Sequence, residues 1–320
     1  MPKSLETEVK KEPKTVGIAI LALNAESDLP RCLPACISSR GIDRCLVVDS
    51  SSSDNTVAVA RKLGAETHVI AREDFNHGAT RELARHLLRT DIVVLLTQDV
   101  VPAENFLEPL LAPVLTGEAA VAYARQLPRV GSDFFEAFPR EFNYPAEGNL
   151  RSLDDVSRHG VYTFFCSDSC AAYLNAALDM IGGFKPTLTN EDYFAVAALL
   201  RAGYKIRYVA ESRVAHSHRY SLIEEFRRYF DTGYVRAENP WVNEIAGAAE
   251  NRGASYLREM IKRLARQAPY LIPYAILQTT VKWFGYRVGF YSLRAPLGWK
   301  LRCSGQRYYW RSKFATRAAR

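Results

Sequence analysis

VVLLTQDVVPAENF, residues 93 to 106, runs through four apolar residues, then a threonine and a glutamine, and reaches a carboxylate at Asp99 before Pro102 opens a new segment. A short apolar, β-branched run reads as a strand of a sheet interior. The carboxylate at its end belongs to the sheet's edge. Two stretches upstream share this build: TVGIAILAL (15–23) stops at Asn24 and RCLVVD (44–49) stops at Asp49. A third strand is expected in ETHVIA, residues 66–71.

Between these runs the spacing turns helical. Leu29, Leu33 and Ile37 share one face, Thr56 to Leu63 repeats apolar residues behind a serine-rich cap and stops at Gly64, and Leu83, Leu87 and Leu88 mark a face in REDFNHGATRELARHLLRT. Short strands alternating with helices predict an α/β protein whose mostly parallel sheet is covered on both sides. Such sheets bind ligands beyond the carboxyl ends of their strands, so Asn24, Asp49 and Asp99 should converge on one rim. Beyond about residue 120, VAYARQLP and FFCSDSCAAYL read as strands, NEDYFAVAALLRAGY as a helix, KIRYVAESRVAHSH as a strand, and everything from Ser221 onward as helical.

The chain has 320 residues and 48% hydrophobic content, enough for a sizeable core. Its six cysteines make no CxxC pattern with histidines at zinc-finger spacing and read as reduced thiols of a cytoplasmic protein, with Cys166 and Cys170 as core residues. The N-terminus lacks the apolar segment of a secretion signal and is expected to be a loose tail over residues 1–14. Of the net charge of +7, residues 261 to 320 carry 13 Lys or Arg and no Asp or Glu, which leaves −6 for residues 1 to 260. That basic, aromatic end contains no recognisable nucleic-acid module, so nucleic acid is not an expected partner. Its longest uncharged stretch, Gln267 to Val281, holds 15 residues with two prolines, short of the ~20 apolar residues a membrane span requires. The expectation is a peripheral contact at the inner face of the membrane; packing on the rest of the chain, with the basic residues solvated, is the alternative.

The GxGxxG fingerprint and the GxxxxGK[ST] phosphate loop are both missing, which argues against nicotinamide and P-loop chemistry. A diphosphate can instead be held by a divalent cation on a carboxylate. Seven segments, AILALNAESDLPRCL, CLVVDSSSSDNT, HGATRELA, LLTQDVVP, MIGGF, NEDYFAVAALLRAGYKI and VAHSH, occur in the order found in the family 2 glycosyltransferases of the GT-A fold, over roughly residues 15 to 218. The chain resembles that family, and DFNHGATR and TQD are most similar to the bacterial rhamnosyltransferases that use dTDP-L-rhamnose.

The resemblance implies a GT-A (Rossmann-like) domain over residues 15–220, followed by a helical extension over 221–320. It implies an inverting sugar transfer to a hydroxyl of a lipid-linked glycan in cell-envelope polysaccharide synthesis, with a UDP-hexose or GDP-mannose as the alternative donor. It places Asn24, Asp49, Arg81, His77 and Thr97 at the nucleotide. Thr97 stands where the family's DxD motif usually has its first aspartate, so Asp99 would supply the carboxylate to Mg²⁺ or Mn²⁺ alone, with His218, favoured over His216, as a further ligand. Asp192 matches the catalytic base and Glu191 its support, although two carboxylates there also suit a helix N-terminus. Asp168, between two core cysteines, has no role from spacing.

Overall fold

The computed structural model describes residues 13–246 and 250–315; most of the expected N-terminal tail lies outside them. Its strands are β1 (Val16–Ala22), β2 (Arg44–Asp49), β3 (Glu66–Val69), β4 (Ile92–Thr97), β5 (Val101–Pro102), β6 (Val121–Leu127), β7 (Asn149–Arg151), β8 (Cys170–Leu174) and β9 (Ile206–Ala215). The helices up to the end of the sheet are α1 (Leu29–Ile37), α2 (Thr56–Lys62), α3 (His77–Leu88), α4 (Leu107–Leu115), α5 (Phe134–Asn143), α6 (Val156–His159), α7 (Asn175–Met180) and α8 (Glu191–Arg201). After it come α9 (Leu222–Glu238), α10 (Pro240–Ala246), α11 (Glu250–Gln267), α12 (Ile272–Phe290) and α13 (Leu297–Cys303).

All nine strands form one sheet in the order β3-β2-β1-β4-β8-β6-β9-β5, with β7 also paired to β9. The half β3-β2-β1-β4 is parallel throughout. The other half is mixed: β8 runs antiparallel to both β4 and β6, and β6 runs parallel to β9. Period-two alternation sorts the strand side chains onto two faces, as expected of a sheet buried on both sides. Ile18, Ile20 and Val94 pack with Leu29 and Leu33 of α1 and Leu110 of α4, while Ala19, Val93 and Leu95 face Ala84 of α3 and Leu199 of α8.

Two expectations are corrected. FFCSDS is not strand, for residues 160–164 form a 3₁₀ turn and β8 starts only at Cys170. The buried Arg151 guanidinium donates to the carbonyls of Tyr162 and, at 2.7 Å, Phe165, satisfying groups that a ladder would otherwise have paired. On α3 the fully buried positions include Arg81 and Arg85, whereas Leu83 and Leu87 stay half-buried. Carboxylates on neighbouring elements receive both guanidiniums, which makes such burial tolerable.

Among the described residues the chain after Ser221 is mostly helical, and α9 begins on a capping box between Ser221 and Glu224. It shares the core of the sheet: Phe230, Tyr234, Cys303, Tyr309 and Trp310 belong to the same buried cluster as Ala19 and Val93. Helix α12 lies against α9 through Gly285 and Gly289, opposite Gly233; a Cβ at Gly289 would overlap the Phe230 carbonyl and one at Gly233 the Tyr286 carbonyl. At the same seam Lys282 Nζ meets Glu225 Oε1 at 3.1 Å, both side chains buried. Among the described residues no helix is long and apolar enough to cross a membrane.

This crossing makes Gly289→Ala an overpacking substitution, expected to lower the unfolding free energy by about 1–3 kcal/mol. Gly298→Ala, with nothing near its Cβ, should stay within about 0.5 kcal/mol of wild type. Urea unfolding of the two variants side by side checks the difference.

Candidate active site

Because β8 reverses the direction twice, once against β4 and once against β6, the strands β1, β2, β4, β6 and β9 all end on the same edge, and β8 begins there. Every polar group singled out in the sequence at a strand end is therefore brought to that rim.

At the β1 and β2 ends, Asn24 adopts a left-handed conformation with φ 49 and is exposed. Its N–H donates to Ser52 Oγ at 2.8 Å and its Oδ1 accepts from the Ser53 N–H at 2.9 Å. Asp49 is 1% exposed, and its carboxylate accepts from the Ser52 N–H at 2.9 Å and from the Ser52 hydroxyl. The serine-rich loop is thus folded between the two residues. Gln98 performs a role that the sequence reading missed: its amide accepts from the Leu23 N–H at 2.7 Å and donates to the Leu23 carbonyl at 3.1 Å, extending the β1–β4 pairing by one side chain.

At the β4 and β9 ends, Asp99, His216 and His218 meet. Asp99 Oδ2 lies 3.2 Å from His216 Nε2 and 2.9 Å from His218 Nε2, and the two imidazole nitrogens are 2.9 Å apart. The histidines sit just past the end of β9, one residue apart, so both reach the same side. Gln126 of β6 orients His216: its Nε2 donates to Ser167 Oγ at 2.7 Å, which leaves Oε1, 2.9 Å away, to accept from His216 Nδ1. His216 Nε2 then carries a lone pair into the cluster. Burial lowers the pKa of His216 against the opposing pull of Asp99. Burial also disfavours charge on Asp99, but its contacts with His216 and His218 outweigh this and hold its pKa well below the usual carboxylate range. The Arg129 guanidinium caps the Asp99 carbonyl from the β6 side. One carboxylate and two imidazoles converging through lone pairs, with a second-layer amide fixing one tautomer, are a donor set that fits a divalent cation. His216 joins the site on equal terms with His218. Thr97, at the end of β4, has its hydroxyl buried with no partner among the described residues.

The third group surrounds Arg81. Its Nε lies 2.9 Å from Asp168 Oδ2 and its Nη1 pairs with Glu191, all three side chains 8% exposed or less. Tyr173 donates to Asp168 Oδ1 at 2.5 Å. Asp192 accepts from the Tyr193 N–H at 2.7 Å and, with its other oxygen, from the Asp168 N–H at 3.4 Å. Burial raises its pKa, with Arg81 pulling the other way. Asp168 is pushed up to about 6 by burial, opposed by Arg81 and reinforced by Asp192. His77, at the start of α3, packs edge-on against Phe75 at 4.9 Å; burial, then Arg81 and Arg72, lower its pKa to about 3 and keep it neutral. The carboxylate and histidine groups are connected, since Ser167, bonded to Gln126, immediately precedes Asp168.

The Glycosyl transferase family 2 model matches residues 17–182. The chain belongs to that family. The transferase is 38% identical over 268 residues to the O-antigen chain rhamnosyltransferase WbaN of Salmonella anatum, covering 83% of this chain and 85% of that protein. It is 36% identical over 309 residues to the O-antigen chain rhamnosyltransferase RfbN of Salmonella typhimurium, covering 92% and 96%. Among solved structures, the mannosyltransferase PcManGT from Pyrobaculum calidifontis in complex with GDP-Man and Mn²⁺ gives a TM-score of 0.58 at 16% identity, over 87% of this chain and 86% of that one. S. aureus TarS 1-349 gives 0.52 at 13% identity, over 88% and 91%. At these identities the structural likeness shows the fold, GT-A. The transferase is accordingly a glycosyltransferase enzyme.

The raised pKa of Asp168 has a sign. Protonated Asp168 is favoured in the fold, so its contribution to stability is complete below its ordinary value of 3.8 and is lost as pH rises to about 6. Asp168→Asn should flatten that limb of the stability profile. Urea midpoints from pH 4 to 7 measure it, and a parallel profile for the variant would exclude the assignment.

Proposed function

We propose that the transferase moves L-rhamnose from dTDP-L-rhamnose to a hydroxyl of a lipid-linked glycan in O-antigen-type polysaccharide synthesis, inverting the anomeric centre. The observation that carries the reading is one rim holding both an Asp99–His216–His218 donor set and a buried carboxylate pair, in a chain 36–38% identical to two O-antigen chain rhamnosyltransferases over most of its length. Asn24, Asp49, His77 and Thr97 form the nucleotide side, whereas Arg81, expected there as well, is engaged by Asp168 and Glu191. A divalent cation held by Asp99, His216 and His218 would neutralise charge on the leaving diphosphate.

Arg81 balances Glu191 and Asp168, and this leaves Asp192 as the carboxylate free to take a proton. Among the described residues its Oδ2 makes one hydrogen bond, a long 3.4 Å contact from the Asp168 N–H, and its raised pKa brings it nearer the range a general base needs. Asp192 accepts the proton of the acceptor hydroxyl as that oxygen attacks the anomeric carbon from the side opposite the diphosphate. The helix N-terminal role coexists with this one, because Asp192 Oδ1 accepts from the first-turn Tyr193 N–H.

Two substitutions separate the roles. Asp99→Asn should remove metal-dependent dTDP binding in calorimetry and reduce transfer by roughly 100-fold or more. Asp192→Asn should bind dTDP with wild-type affinity while losing transfer to the same degree. Loss of dTDP affinity in Asp192→Asn with turnover retained would move the base elsewhere.

The same reading includes a membrane contact through α12. Its inward face, Ala275, Gln278, Lys282, Gly285 and Gly289, is buried, whereas Ile276, Leu277, Trp283 and Phe284 on the other side are 46–56% exposed. Tryptophan and tyrosine suit a bilayer interface, and Arg287 beside them would attract anionic headgroups at ~1 kcal/mol per charge. Because α12 closes over α9, the test is a surface substitution. The double variant Trp283→Glu, Phe284→Glu should lose flotation with anionic vesicles while keeping its unfolding midpoint, and a full-length protein that never floats contradicts the contact.

A further inference from the structure

A cavity of about 250 Å³ opens between the turn that precedes α8 and the helix α9. It is lined by Thr189, Asn190, Arg228, Tyr229, Asp231, Thr232 and Gln306, each of which carries a polar group. One of the lining residues, Asn190, sits immediately before α8 in a left-handed conformation with φ 63, two residues ahead of Asp192 in the chain. The C-terminal chain supplies the opposite wall: Asp231 Oδ2 accepts from the Gly305 N–H at 2.9 Å, which fixes the 304–306 turn against α9.

Asp231 is the unusual member. It is 3% exposed, and its second oxygen, Oδ1, has no hydrogen-bond partner among the described residues. A buried carboxyl oxygen left unpaired is costly, and the fold keeps this one in the cavity wall. Burial pushes the Asp231 carboxyl up to about 7 against the Ser304, Gly305 and Gln306 donors that lower it. A group poised near neutrality can accept from a hydroxyl or donate to one.

We infer that this cavity is the acceptor subsite and that Asp231 Oδ1 reads a hydroxyl of the acceptor sugar. The inference rests on the glycosyltransferase reading of the rim. The lining fixes the ligand class. Mixed donors and acceptors around one cation and one carboxyl suit neutral vicinal hydroxyls, whereas a phosphate would be placed against Asp231. The volume is below the ~300–1,000 Å³ of pockets for drug-sized ligands and suits a single pyranose unit. The position suits it too, because Asn190 of the lining stands two residues before Asp192 in the chain, at the start of α8. Asp231 would be a specificity residue, separate from the nucleotide side of the rim.

The experiment uses the full chain and saturation-transfer NMR with methyl α-D-glucopyranoside, methyl α-D-mannopyranoside and methyl α-D-galactopyranoside, together with the monodeoxy analogues of each. Wild type should bind at least one parent glycoside saturably and one of its deoxy analogues at least tenfold more weakly. Asp231→Asn should weaken the parent by tenfold or more and erase the discrimination against that analogue, with the dTDP-induced thermal shift unchanged. A merely structural role would weaken parent and analogue alike and keep their ratio. If Asp231→Asn does not fold, Gln306→Ala on the opposite wall is expected to weaken the parent glycoside about threefold or more. Absence of saturable binding by all three glycosides, or wild-type discrimination in Asp231→Asn, overturns the inference. A missing dTDP shift in wild type would instead count against the nucleotide rim.

Discussion

The double reversal at β8 is the constraint on which the site depends. A strand antiparallel to both neighbours gives β4 and β6 the same direction, so the strand ends that carry Asn24, Asp49 and Asp99 lie on the same edge as the end of β9 that carries His216 and His218. The start of β8 falls on that edge as well and brings Asp168 with it. The histidines could not reach Asp99 at 2.9–3.2 Å if the second half of the sheet ran the other way.

From this constraint follows a division of the rim into groups that are electrostatically distinct but mechanically joined. The Asp99 group gathers lone pairs. The Arg81 group gathers carboxylates around one guanidinium that is itself buried on α3, where removing Arg81 would leave Asp168 and Glu191 uncompensated. Gln126 and Ser167 join the two, so the orientation of His216 and the position of the Asp168 loop are set by one hydrogen-bonded chain. Helix α9 then encloses the carboxylate side, with Arg236 stacked over Tyr193 of α8 at 3.8 Å. The C-terminal helices are therefore part of the core around the site as well as the presenters of an exposed aromatic face on α12.

Much of this was legible in the chain. The alternation of apolar runs and helical spacing located β1 to β4 and α1 to α3, and the polar residues ending β1, β2 and β4 identified the rim before any coordinates. What could not be read is instructive about mechanism. Arg81 and Arg85 look like surface residues because periodicity counts apolar side chains, and it does not register a guanidinium buried among partners far away in the chain, such as Asp168, Asp179 and Glu191. FFCSDS looks like strand because its aromatic residues have β propensity, yet Arg151 takes over its carbonyls. Gln98 acts through its own side-chain amide, which no pattern of apolar residues reveals.

The central claim is that this rim activates dTDP-L-rhamnose. The most direct measurement is release of nucleotide by the purified chain from dTDP-L-rhamnose, UDP-glucose and GDP-mannose in parallel, each with Mg²⁺, with Mn²⁺ and with excess chelator. The account predicts release from dTDP-L-rhamnose well above the other two, abolished by the chelator and restored by added cation. Equal or faster release from UDP-glucose or GDP-mannose, or release from dTDP-L-rhamnose that is indifferent to chelation, would contradict it.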